Sequence, residues 1–191
     1  RVERINNEIR NIVITPEQDI SLNNTTTIPI YINSSLNNNV KKLITNDTKS
    51  FLDFGSGKGY TSESIKKDFP HINLYTYDPV TSPIELPSEV DITYSSDVLE
   101  HVEPKHIDQT LDKLFAITKK YQYHLIACHP AKKLLPDGRN AHLIIESPEW
   151  WRNKLKKYNW KIVAESIKEK YREKFNINII KYIVLLEKPM E

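Results

Sequence analysis

Three of the chain's four glycines fall within five residues, at Gly55, Gly57 and Gly59. A short apolar run over residues 50–54 precedes them, and a helical pattern over residues 60–68 follows. Glycine accepts positive φ and lets backbone approach a ligand closely. A strand, glycine turn and helix in that order therefore read as a place where free amides and a helix N-terminus meet a bound group. Spacing excludes two phosphate loops. Lys58 is followed by Gly59, so G-x-x-x-x-G-K-[ST] fails, and G-x-G-x-G is not the dinucleotide pattern G-x-G-x-x-G. Asp53, two positions before the first glycine, would repel a pyrophosphate and attract an ammonium group.

A ligand with a cationic amino-acid end and no phosphate meets these conditions, and S-adenosylmethionine is such a ligand. A second acid agrees. Asp78 closes the next apolar run, residues 73–77, where Rossmann-like sheets place an acid on ribose hydroxyls. Further along, Asp97, Glu100 and His101 stand at i, i+3 and i+4, on one face of a helical turn. With His142 downstream they allow two chemistries: a histidine general base or acceptor-orienting group, or a divalent ion, Mg or Mn, held by Glu100, His101 and His142.

The segment Asp53-Phe54-Gly55-Ser56-Gly57-Lys58-Gly59 resembles motif I of class I S-adenosylmethionine-dependent methyltransferases. Tyr77-Asp78-Pro79 is similar to the acidic end of that family's second strand, and Asp97-Val98-Leu99-Glu100-His101 to its D-V-L-E-H segment. The resemblance covers about residues 45–186. It implies an α/β Rossmann-like domain, a mostly parallel seven-stranded sheet with a final antiparallel strand and helices on both faces. It also implies methyl transfer, with cofactor contacts from Asp53, Gly55, Ser56, Gly57, Gly59, Asp78, Pro79, Asp97 and Val98. The Glu-His pair plus a later His is similar to metal-assisted O-methyltransferases, including RNA 2′-O-methylating ones. One departure stands out. Only 19 positions separate Asp78 from Asp97, and Pro79, Pro83 and Pro87 interrupt them, so the third strand is reduced or absent and the sheet is six-stranded if it is lost. Ile84 and Leu86 are then candidates for an apolar wall at the adenine.

The acceptor should enter at the carboxyl ends of the fourth and fifth strands. Residues 129–142 form a long loop there, and long loops in compact domains tend to be functional. His129, Lys132 and Arg139 on it suit a carboxylate or phosphate of an acceptor, and Trp150 a flat ring. A small-molecule acceptor, methylated on oxygen or nitrogen, is the leading expectation. RNA is the alternative, conditional on the basic residues Arg152, Lys154, Lys156, Lys157 and Lys161 sharing one surface with the loop. A non-catalytic module that binds S-adenosylmethionine is the rival from another class.

These residues need a scaffold. Apolar runs at 50–54, 73–77, 90–95, 123–128, 160–165 and 177–186 alternate with helical patterns at 60–68, 98–102, 104–118 and 148–155, which argues an α/β sheet. Ser147 and Pro148 read as the cap and first residue of the last helix. A length of 191 residues suits one domain, 1–191, with residues 1–44 as an arm or lid and 45–191 as the core. Residues 2–14 carry a weak helical pattern, and residues 36–43 another. One cysteine excludes a disulfide framework or a cysteine zinc site within one chain. No apolar run reaches membrane-spanning length and no leader pattern opens the sequence, so a cytoplasmic protein without a membrane partner is expected. The net charge of +2 names no partner, and oligomeric state is not legible.

Overall fold

The computed structural model describes residues 11–12, 40–79, 81, 85–173 and 176–189. The chain runs through β1 (Asn11–Ile12), β2 (Ser50–Phe54), α1 (Tyr60–Asp68), β3 (Asn73–Tyr77) and β4 (Val90–Ser96). Two single 3-10 turns follow, Leu99–His101 and Pro104–His106. Then come α2 (Ile107–Ile117), β5 (Thr118–Ala127), α3 (Pro148–Lys156), β6 (Lys161–Arg172) and β7 (Ile177–Glu187). All strands join one sheet in the order β1-β6-β7-β5-β4-β2-β3.

The sheet is mixed. β3, β2, β4 and β5 run parallel to one another, whereas β7, β6 and β1 are each added antiparallel to the preceding strand of the sheet. Three of six pairings are thus antiparallel, which corrects the mostly parallel sheet expected above. Six full strands are present, and the seventh, β1, is a two-residue strand on β6. No strand lies between β3 and β4 among the described residues, so β3 is the edge. Asn11 and Ile12 are extended where a helical pattern was read. The rest of residues 1–39, and Ile84, lie outside the described residues. Val40, Leu43 and Ile44 are buried against the sheet and belong to the core, not to a lid.

β2 shows how the sequence fills both faces. Leu52 and Phe54 join one cluster with Leu111 and Leu114 of α2 and Trp151 and Leu155 of α3. Phe51 joins another with Ile65 of α1 and Ile92, Tyr94 and Tyr123 of the neighbouring strands. The side-chain period of two on a strand produces this division. Ser147 caps α3 as its position suggests, its Oγ accepting from Trp150 N–H at 3.1 Å. Leu86, expected at an adenine, packs instead against the α2–α3 cluster.

One topological step positions the site. From β2 the chain moves outward to β3, then returns to the other side of β2 as β4. Loops leaving β2 and β4 therefore diverge, and a crevice opens at their carboxyl ends.

Candidate active site

The chain leaves β2 through Gly55, Gly57 and Gly59, whose φ values are 81°, 51° and 78°. Residues with a Cβ pay about 1–2 kcal/mol to adopt this conformation. The turn has a closed side and an open side. A Cβ on Gly55 would lie 2.2 Å from Val98 Cγ2, so this glycine exists to let β2 and the exit of β4 touch. A Cβ on Gly57 or Gly59 would meet nothing within 4 Å, so bare backbone is presented there.

The amides of the turn are not free, contrary to the reading from sequence. Gly55 and Ser56 N–H both donate to Tyr77 O, at 2.7 and 3.0 Å, and Gly59 N–H donates to Ser56 O at 2.8 Å. Gly57 N–H donates to Asp78 Oδ2 at 3.2 Å. These donors tie the turn to the end of β3. What the turn offers a ligand is room without side chains. Asp78 also accepts from Thr81 N–H at 2.9 Å through Oδ1. Pro79 follows it, exposed.

Asp53 is 3% exposed and accepts from both Ser62 Oγ, at 2.5 Å, and Ser62 N–H. Ser62 is the third residue of α1, where an amide lacks an intrahelical partner, and Gly59 supplies no side-chain cap. Asp53 therefore caps α1 from the strand, and its charge suits the positive end of the helix. Burial holds its carboxyl above the usual range, and the Ser62 bonds pull it back down. The carboxylate expected to attract an ammonium group is in the structure buried and bonded to Ser62 of α1.

Beyond Val98 lies a cleft of about 330 Å³ lined by Asp97, His101, His129, Lys132, His142 and Lys181, among others. Asp97 sits at φ 53° and its two oxygens accept from Lys181 Nζ at 2.9 and 3.0 Å. This aspartate thus faces the cleft paired with a lysine of β7, 84 residues away and invisible to sequence reading.

Three imidazoles share a wiring. His101 Nδ1 donates to Ala141 O at 2.7 Å, His129 Nδ1 to Ile180 O at 2.8 Å and His142 Nδ1 to His129 O at 2.5 Å. A carbonyl can only accept, so Nδ1 carries the proton, and Nε2 is the nitrogen left to act as base or ligand. Ring centroids of His101 and His142 are 4.8 Å apart, and those of His129 and His142 5.4 Å. Burial, together with the neighbouring imidazoles, keeps the His142 pKa below its ordinary value, which favours the neutral ring.

Glu100 is fully buried beneath them. Its Oε1 accepts from Ala127 N–H at 3.1 Å, and its Oε2 has no partner among the described residues. Burial raises its pKa to about 7, with Asp97 adding to the rise. One ligand atom each from Glu100, His101 and His142 lies within 4.8 Å of the others. Donors around a Mg²⁺ ion sit about 2.1 Å from it, hence within about 4.2 Å of each other, so a contraction of about half an ångström would close the set. The anchored Nδ1 atoms match the outer-shell bonds usual for metal-ligating histidines, and the orphaned Oε2 supplies the charge. The residues fit a divalent ion.

The loop that carries His142 is held by Asn140, which the sequence did not single out, and by Arg139. Asn140 Oδ1 accepts from Ala131 N–H and His142 N–H, and its Nδ2 donates to Ala131 O, each at 2.9 Å. Arg139 donates to both Glu103 oxygens at 3.0 and 2.9 Å and to Asp137. Arg139 thereby joins the His142 loop to the segment bearing His101. This corrects its expected role: its guanidinium is committed to two carboxylates and does not line the cleft. Trp150 also stands away from the cleft, edge-on to the buried Trp151 with Lys154 over its ring. A further histidine, the fully buried His124, is satisfied by Ser95 and Gln122 inside the sheet and takes no part.

The sequence matches no protein-family model and no curated relative. Its fold matches solved structures. The 1,6-didemethyltoxoflavin-N1-methyltransferase of Burkholderia thailandensis superposes with a TM-score of 0.55 at 14% identity, over 75% of this chain and 72% of that one. Phosphoethanolamine N-methyltransferase 2 of Haemonchus contortus gives 0.57 at 11%, over 81% and 52%, so the chain spans about half that enzyme's length. The [4+2]-cyclase SpnF gives 0.57 at 12%, over 82% and 80%. The architecture is therefore the methyltransferase-like α/β fold, a single mixed sheet with helices. A cyclase shares it, so the reaction must be argued from the site.

Proposed function

We propose that this chain is an S-adenosylmethionine-dependent methyltransferase whose acceptor enters the histidine-lined cleft. One observation carries the reading: the contact of Gly55 with Val98 sets an open glycine turn beside Asp97, the first residue of the cleft. Groups suited to a nucleoside would thus stand next to groups suited to proton transfer, at the switch point. The finer architecture of a methyltransferase, helices covering both faces of the sheet, goes with this reading.

Gly57 and Gly59 would admit the ligand, and Asp78 would hold its ribose hydroxyls. Bound there, S-adenosylmethionine supplies an electrophilic methyl group on a sulfonium that leaves readily. The chain's own task is to place the acceptor atom and take its proton. His142 is the best-placed base, neutral and fixed by its Nδ1 anchor, with Nε2 receiving the proton. His101 and His129 orient the acceptor beside it, and Lys132 offers a cation to an anionic group on it. The acceptor is an oxygen or nitrogen on a small molecule or on a slim chain end that a cleft of this size admits. The named neighbours act on or bind 1,6-didemethyltoxoflavin and phosphomonomethylethanolamine, small acceptors of the kind expected here.

A second reading, metal-assisted O-methylation, is favoured by the unpartnered Glu100 Oε2. A Mg or Mn ion on Glu100, His101 and His142 would acidify a coordinated hydroxyl. RNA ribose is one acceptor consistent with it.

The test is turnover. The chain, incubated with S-adenosylmethionine and a panel of hydroxyl and amine acceptors, should release S-adenosylhomocysteine, and His142→Ala should abolish release. Binding without release across the panel would favour a non-catalytic module. Calorimetry with Mn²⁺ separates the two readings: uptake lost in Glu100→Gln supports the metal, and no uptake removes it. Among the described residues no helix is long and apolar enough to cross a membrane. A cytoplasmic site of action goes with this proposal.

A further inference from the structure

The sequence posed a condition for a nucleic-acid partner: the basic residues 152–161 should share a surface with the loop at Lys132. Arg152 pairs with the buried Glu165 and Lys154 with Asp108, and none of the five basic residues lines the cleft. The register of the β6–β7 hairpin supplies a different set of cations.

β5 pairs with β7 only as far as Ala127↔Lys181, whereas β6 continues with β7 to Arg172↔Ile177. The hairpin therefore projects past the end of β5, beyond the carboxyl edge of the sheet. Ile177, Ile179 and Lys181 of β7 line the cleft. Residues directly opposite in an antiparallel pair point to the same face. Their partners are Arg172, Lys170 and Lys168, which consequently share the cleft side of the hairpin. Glu169 and Tyr171 fall on the other side by the same alternation.

Alternate residues on a strand are about 6.7 Å apart, so Lys168, Lys170 and Arg172 span about 13 Å in a line. Lys170 and Arg172 are exposed, Lys168 half-buried, and none has an ion-pair partner among the described residues. The exposed Lys132 and Lys133 stand on the loop that also lines the cleft. The whole chain carries a net charge of only +2, so this concentration is local, not a reflection of composition.

We propose that the cleft face of the β6–β7 hairpin is a track for the phosphodiester backbone of a single-stranded nucleic acid whose end enters the histidine cleft. A metabolite with one anionic group would use one or two of these cations. A line of three, whose inner member Lys168 stands opposite Lys181 at the cleft, matches a ligand that repeats its charge with every monomer. Each nucleotide also brings a flat ring, for which Ile177, Ile179 and the imidazoles provide apolar and stacking surface. A duplex is too broad for a cleft of about 330 Å³. The inference rests on the reading of this cleft as the acceptor side, and it names the acceptor's class.

The test is fluorescence anisotropy with a labelled single-stranded RNA of about 20 nucleotides, at salt from about 50 to 200 mM. The full chain should bind it, and Lys168→Ala/Lys170→Ala/Arg172→Ala should bind at least tenfold more weakly. The log–log salt slope should flatten by about 2, from about 0.7 for each of three lost phosphate contacts. Lys170→Glu serves as a milder second variant and should weaken binding alone. Circular dichroism and S-adenosylhomocysteine calorimetry should be unchanged in both variants. No RNA binding by the wild type at the lowest salt, equal binding by both variants, or equal binding of a blunt duplex would each overturn the proposal. Failure to bind S-adenosylhomocysteine would sink the methyl-transfer reading while leaving the RNA result to stand or fall by itself.

Discussion

Replacing Glu100 by Gln should make the protein's stability less dependent on pH, because the native site stores an unfavourable charge. Burial lifts the Glu100 pKa from 4.5 to about 7. At about 1.4 kcal/mol per pH unit, ionising it in the fold costs roughly 3 kcal/mol relative to the unfolded chain. The sign follows from proton counts. Below pH 4.5 both states are protonated and no cost arises. Between 4.5 and about 7 the folded state holds the proton more tightly, so stability falls as pH rises, and above 7 the full cost is present. Glu100→Gln cannot ionise. Its Nε2 leaves a donor unpartnered where Oε2 now lies, at about 1–3 kcal/mol, but that cost is the same at every pH. Urea unfolding of both proteins in EDTA, from about pH 5 to about pH 9, measures the difference. The gap in unfolding free energy should move by roughly 3 kcal/mol in favour of the variant across this range. Parallel profiles would refute the argument that a desolvated carboxylate is held here. Under the metal-assisted reading activity should be lost although the variant gains relative stability, as expected of a group kept for function.

Two further outcomes follow from the geometry. Gly55→Ala should lower stability by well over 2 kcal/mol in chemical denaturation, since φ strain of about 1–2 kcal/mol adds to the overlap with Val98. Val98→Ala in the same chain should recover the overlap but not the strain, and equal stability of the single and double variants would contradict this. Asn140→Ala removes three hydrogen bonds of the loop, at about 1 kcal/mol each. By NMR titration the His142 pKa should then climb back toward 6.5 as the ring is rehydrated, with turnover reduced; an unmoved pKa would show that Asn140 does not position the ring.

The legible parts of the sequence were those set by backbone period and backbone freedom. Gly55, Gly57 and Gly59 announce their positive φ because no other residue adopts it cheaply, and the apolar alternation at residues 50–54 marks β2. The short stretch between Asp78 and Asp97 correctly gave no full third strand among the described residues. Side-chain partnerships across long separations left no such mark. Arg139 read as an anion binder until Glu103 was found beside it. Lys181 gave no signal, since its partner Asp97 belongs to a different strand exit. Asp53 read as a ligand contact from its charge alone, and its bond to Ser62 of α1, nine residues on, gave no signal. β6 was read too short, because the polar residues of its outer half break the apolar run, whereas β7 was read to within a residue.

Calorimetry of the purified chain with S-adenosylmethionine examines the central claim most directly. One site per chain is expected, with affinity reduced at least tenfold, about 1.4 kcal/mol, in Asp78→Ala. No heat of binding, or binding that Asp78→Ala leaves intact, would contradict the assignment of the open glycine turn as the nucleoside site.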